Sequence, residues 1–89
     1  MLETQVTIVN RLGLHARAAA KFVNTASAYS SEILIGSDGR EVNGKSIMGV
    51  MMLAASKGTQ LTLKSNGPDE EEARDALIKL IGERFGEPE

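Results

Sequence analysis

The 89-residue chain has no cysteine and no tryptophan, one histidine, two prolines and three aromatic residues. Without cysteine there is neither a disulfide framework nor a thiolate metal site, and a single histidine argues against structural zinc. No metal and no cofactor is therefore expected. With two phenylalanines, one tyrosine and a net charge of −2, there is little stacking surface and no broad basic field for nucleic acid. No apolar run approaches the roughly 20 residues that span a bilayer, and "MLETQVTIVN" alternates where a signal peptide would be continuously apolar. The natural reading is a soluble cytoplasmic monomer, without membrane insertion, folded as one domain over residues 1–89. A domain this small buries only about 60–65% of its unfolded surface, so its core must be efficient.

The charge is uneven. Residues 1–64 carry seven Lys/Arg against four Asp/Glu, and residues 65–89 carry three against eight. A basic front part can steer an acidic partner to one face, although an acidic helix start accounts for most of the later charge.

Apolar alternation over residues 2–10 puts Leu2, Thr4, Val6 and Ile8 on one face of a strand. From Ala16 the period becomes helical, with Ala16, Ala19, Ala20, Val23 and Ala26 on one stripe and Phe22 beside it. "EILIGSDGREVNG" reads as a hairpin turning at Asp38-Gly39. A short helix follows in "SIMGVMMLAAS", N-capped by Ser46 and ending before Gly58. "TQLTLKS" is another strand, with Leu61 and Leu63 inward. "GPDEEEARDALIKLIGERFG" closes as a helix, Asp69 capping it and Glu72 completing a capping box. Its stripe is Ala73, Ala76, Leu77, Leu80, Ile81 and Phe85. The order β-α-β-β-α-β-α, with one apolar sheet face, implies an α+β fold: a four-stranded antiparallel sheet with three helices on one face.

"GREVNGKS", Gly39 to Ser46, matches the phosphate-loop pattern of nucleotide-binding proteins in full. Its context does not. Gly39 belongs to a hairpin turn, Glu41-Val42 to a strand, and a parallel βαβ unit is absent from the element order. A phosphate-loop protein is thus a remote alternative.

The lone histidine stands in "RLGLHARAAAKFV". It could be an ordinary, partly buried residue one turn before Ala19. Three features point elsewhere. His15 precedes the first helical residue, so its side chain belongs to the cap. Ala16 and Ala18 are too small to cover an imidazole. Arg17 adds a permanent cation that can fork onto an oxyanion. Backbone amides of Ala16 and Arg17 at a helix start favour a phosphate group, and neutral imidazole is a competent nucleophile. No second histidine and no acid–base pair for hydrolysis is evident, so a phosphate placed here would be passed on.

"GLHARAA" followed by "NGKSIMGVMMLAA" strongly resembles the HPr family, the histidine-containing phosphocarrier proteins of the bacterial phosphoenolpyruvate-dependent phosphotransferase system. The resemblance covers nearly the whole chain and implies an open-faced β-sandwich. It implies that His15 accepts a phosphoryl group from enzyme I and passes it to an enzyme IIA domain, with Arg17 beside the active histidine. Such a protein is a carrier within a relay, not a free-standing enzyme; it serves sugar uptake or, alternatively, the nitrogen-related branch. The commonest family motif has proline where this chain has Ala18, and alanine also fits a helix start.

Ser46 is first of all a strong N-cap, worth about 1 kcal/mol. The resemblance adds that "GKSIMG" looks like the stretch modified by HPr kinase/phosphorylase, making Ser46 a regulatory candidate. The helix after it is apolar all round, too much so for a small domain to bury. Val50, Leu53 and Ala54 are expected in the core; Ile47, Met48 and Met51 are expected to dock partners, the methionines adapting to more than one surface.

Overall fold

Strand β1 (Leu2–Thr7) keeps the alternation of its sequence, and the inward series runs on beyond it through Val6, Ile8 and Asn10. The structure, a computed structural model, describes residues 1–37 and 39–89. After β1 come α1 (Ala16–Ser27), β2 (Glu32–Ser37), β3 (Arg40–Asn43), α2 (Ile47–Met52), β4 (Gln60–Asn66) and α3 (Glu70–Gly82). A short 3-10 turn follows at Arg84–Gly86. The strands form one antiparallel sheet in the order β1-β4-β2-β3. β4 is central, pairing Val6 with Leu61 on one side and Ile35 with Leu63 on the other. Val6, Ile33, Ile35, Leu61 and Leu63 bury one sheet face beneath the helices, while Glu3, Gln5, Glu32 and Glu41 are exposed.

Gly39 has φ of +79°, as a tight turn between β2 and β3 requires; the other half of the expected Asp38-Gly39 pair lies outside the described residues. β3 is antiparallel to β2, and Lys45 Nζ donates to the Tyr29 carbonyl at 2.7 Å. Residues 39–46 are therefore a turn, an edge strand and a helix cap, and the phosphate-loop alternative falls.

Several expected details are corrected. In α1 the buried residues are Ala18, Ala19, Phe22, Val23 and Ala26. Ala16 is exposed, Ala20 is half-buried, and Phe22 lies in the centre of the stripe instead of beside it. The stripe is rotated because α1 must present its one large side chain to the core. α2 ends earlier than expected, at Met52. Leu53 and Ala54 donate to Val50 and Met51 in tightened i→i+3 bonds, and Arg40 Nη1 donates to the Met52 carbonyl at 2.9 Å. Val50 is in the core as expected and Leu53 is half-buried. Ala54 is not core: it is exposed, at φ of +49°, where the chain turns out of the helix.

Asp69 occupies the N-cap position of α3 but makes no side-chain cap bond, and the expected capping box with Glu72 is not formed. Its carboxylate instead accepts from Ser30 N at 2.9 Å, Ser31 N at 2.9 Å and Ser31 Oγ at 2.5 Å, tying the α1–β2 loop to the start of α3. Those donors hold the Asp69 carboxyl below its usual range, the Ser31 hydroxyl contributing most. Glu70, not Glu72, reaches back to an amide, that of Gly67 at 3.1 Å. Gly67 has room for nothing larger: a Cβ would meet Ser31 Oγ at 2.6 Å.

α3 stops at Gly82, short of the expected Gly86. Ala73, Leu77 and Ile81 are buried; Ala76 and Leu80 are only half-buried. Phe85 is fully buried as expected, yet not as part of the helix. Arg84 and Phe85 both adopt left-handed backbone, at φ of +59° and +54°. The kink folds Phe85 back into the core; losing so large a buried side chain typically costs about 3–5 kcal/mol, which explains how left-handed conformations at two non-glycine residues persist.

Candidate functional site

The segment between β1 and α1 is fixed from below. Gly13 has φ of +69°, and a Cβ there would lie 2.4 Å from the Ala55 carbonyl oxygen. Leu14, buried, donates its N–H to that same carbonyl at 2.8 Å. Asn10 is fully buried and its Nδ2 donates to the Gly13 carbonyl at 2.8 Å. These bonds deliver His15 to the N-cap of α1 in extended backbone, φ −71° and ψ 175°.

At that position the imidazole caps the helix. Nδ1 accepts from the backbone N–H of Arg17 at 3.3 Å, satisfying one of the free amides of the first turn. Only a nitrogen lone pair can accept, so Nδ1 carries the lone pair and Nε2 the proton. Nε2 faces the Glu87 carboxylate, placed there by the segment after α3. Phe85 anchors that segment in the core, Lys21 Nζ donates to the Phe85 carbonyl at 2.6 Å, and Arg84 Nε donates to the Glu87 carbonyl at 3.2 Å. Arg11 binds Glu89 twice, N–H to carbonyl at 2.8 Å and Nη1 to carboxylate at 3.1 Å. Asn10 completes the set, its Nδ2 donating to Glu87 Oε1 at 3.0 Å.

Burial pushes the Glu87 carboxyl up, but hydrogen bonds from Asn10 and His15 and the attraction of the imidazole and Lys21 outweigh it. The net displacement is downward, and Glu87 is an anion at neutral pH.

Arg17 is exposed, and among the described residues its guanidinium makes no hydrogen bond or ion pair. It lines a cleft of about 170 Å³ with Arg11, Leu12, Glu87, Pro88 and Glu89. A larger hollow, about 410 Å³, lies on the open face of the sheet around the Lys64–Glu41 ion pair and shares no residue with this cleft. Among the described residues it has no nucleophile placed as His15 is.

Ser46 stands at the N-cap of α2, its Oγ accepting from Gly49 N at 3.1 Å. On α2, Ile47, Met48 and Met51 are exposed, Met48 by 75%, and α2 packs against α1. Met52, on the same helix, and Leu12, before α1, are exposed as well. His15, Arg17 and the Ala16 and Arg17 amides are thus brought together, with Ser46 and the apolar face of α2 on the neighbouring helix.

Asn10 and Glu87 were missed. Asn10 continues the inward alternation of Val6 and Ile8, which marks it as a polar residue in the core. Glu87 carries no local signal; it lies 72 positions from His15.

A family model described as "PTS HPr component phosphorylation site" matches residues 2–83. The chain belongs to the HPr family of phosphotransferase-system phosphocarrier proteins. It is 55% identical to the phosphocarrier protein HPr of Cupriavidus necator over the whole of both chains. Among solved structures, HPr-C-His from Thermoanaerobacter tengcongensis superposes with a TM-score of 0.96 at 50% identity, each chain fully covered. An HPr dimer from the same organism matches with a TM-score of 0.79 at 52% identity, over 98% of this chain and all of that one. The HPr fold explains the sheet with its helices on one face, and the matched span contains both His15 and Ser46.

Proposed function

We propose that His15 is the phosphoryl acceptor, that Nδ1 is the attacking atom, and that the phosphate passes from enzyme I to an enzyme IIA domain. The observation that carries this reading is the lone pair of Nδ1, aimed at the first-turn amide of Arg17, a residue that is exposed. In the transfer the Arg17 N–H releases Nδ1, and the freed lone pair forms a bond to phosphorus while the bond from phosphorus to the donor atom of enzyme I breaks, its electron pair leaving with the donor. The phosphate oxygens then meet the Ala16 and Arg17 amides, the positive end of the helix and the Arg17 fork. The reaction runs onward by the same in-line exchange to enzyme IIA. Partners dock on Ile47, Met48 and Met51, and phosphorylation of Ser46 by HPr kinase/phosphorylase regulates docking.

The carrier works as a monomer. Its β3 edge is short and carries Arg40 and Glu41, which discourages strand-to-strand pairing. Light scattering after gel filtration tests this, a 9.5 kDa species being expected. Incubation with phosphoenolpyruvate and purified enzyme I of the sugar branch, in parallel with that of the nitrogen branch, tests the assignment. One added phosphate with the sugar-branch enzyme supports it, preference for the other moves the protein to the nitrogen branch, and no phosphate with either refutes the carrier role.

A further inference from the structure

The imidazole of His15 is held between two partners of opposite chemistry. On one side an N–H, that of Arg17, can only donate. On the other a carboxylate, that of Glu87, can only accept. Only one neutral tautomer satisfies both. Glu87 in turn cannot rotate its role away, because its other oxygen is taken by Asn10 Nδ2, and Asn10 is locked by donating from the same nitrogen to the Gly13 carbonyl. Asn10 Oδ1 is buried and has no hydrogen-bond partner among the described residues. An amide flip would trade that cost for two lost bonds.

From this arrangement we infer that Glu87 is a positioning residue for the phosphoryl transfer, fixing His15 as the Nε2–H tautomer so that the one ring lone pair is that of Nδ1, which the Arg17 amide releases to phosphorus. The inference rests on the carrier reading given above and adds a residue to it. When Nδ1 takes the phosphoryl group, Nε2 keeps its proton and the ring becomes a phospho-imidazolium. The positive charge that develops then faces the Glu87 carboxylate, the relation by which a buried carboxylate orients and stabilises a reacting histidine in other enzymes. Glu87 never touches phosphorus. It acts through the ring.

The discriminating variant is Glu87→Gln, which keeps size and removes charge. Asn10 Nδ2 demands an oxygen, so the glutamine must present its NH2 to Nε2, and a donor there favours the opposite tautomer. Long-range proton–nitrogen NMR of His15 reads the tautomer directly and needs no donor enzyme. The expected result is an Nε2–H ring in the wild type, a shift toward Nδ1–H in Glu87→Gln, where the two donors compete for the ring, and a ring still mainly Nε2–H in Glu87→Ala, where only the Arg17 amide remains. Glu87→Asp, which restores an acceptor-only group, should return the Nε2–H form. Phosphorylation by enzyme I should slow roughly 10-fold in Glu87→Gln, mostly in kcat with little change in KM, as when a group that orients a reacting histidine is removed. Glu87→Asp should recover part of the loss. An unchanged Nε2–H tautomer in Glu87→Gln overturns the inference, and so does an unchanged transfer rate. Failure of the carrier reading looks different: there the wild type itself takes no phosphate, whatever its tautomer.

Discussion

The backbone N–H of Arg17 donates to Nδ1 of His15 at 3.3 Å, so one residue supplies both an amide at that ring nitrogen and an exposed guanidinium. The amide survives any substitution but proline. Side-chain changes at Arg17 therefore isolate the guanidinium. Arg17→Ala should slow phosphoryl transfer by about 10- to 100-fold, the worth of one charge-assisted hydrogen bond. Arg17→Lys keeps the charge without the planar fork and should fall between Ala and wild type. Rapid-quench kinetics with enzyme I measures this; equal rates in all three proteins remove Arg17 from the site.

Ser46 offers a separation of fold from docking. Aspartate caps a helix as well as serine does, so Ser46→Asp should keep the thermal midpoint within a few degrees, the shift of a sub-kcal/mol change. The added charge stands beside Ile47, Met48 and Met51, where an apolar surface is to be covered. Phosphorylation of His15 by enzyme I should therefore slow. Normal kinetics in both this variant and authentic phosphoserine protein would refute the docking mechanism, and slow transfer with a collapsed midpoint would make Ser46 purely structural.

Acid stability should depend on Asp69. Its carboxyl lies below its usual range in the folded protein because it accepts from Ser31 and Ser30. A depressed folded value means that the unfolded chain binds the proton more readily. The contribution is complete above the unfolded value of about 3.9 and is lost as pH falls through the folded value. Asp69→Asn should lower the midpoint at pH 7 and flatten its decline between about pH 5 and pH 2. A slope remains from Glu70 and Glu87, both also held low. Thermal melts across that range would contradict the assignment if the variant's acid limb matched the wild type's.

Much of the fold is local and was legible for that reason. Alternation placed Val6, Ile8, Leu61 and Leu63 correctly because strand periodicity is a property of neighbours in sequence. The helix ends were less legible. Residues 53–56 have the composition of a helix, yet the chain leaves α2 after Met52, where Arg40 from β3 takes the last carbonyl. Phe85 reads as the next turn of the α3 stripe, but it reaches the core through a left-handed kink. Asp69 reads as a cap until Ser31, 38 positions away, competes for its carboxylate. At the site the same division holds. His15 and Arg17 lie two residues apart and could be read together, whereas Glu87 meets His15 only because the folded core holds Phe85.

Phosphate should reside on Nδ1 of His15. Enzyme I and phosphoenolpyruvate should add one acid-labile phosphate to the wild type and none to His15→Ala, with phosphorus–nitrogen NMR placing the bond at Nδ1. Phosphate on the His15→Ala protein at the wild-type rate, or a phosphorus bond to Nε2 in the wild type, would contradict the account.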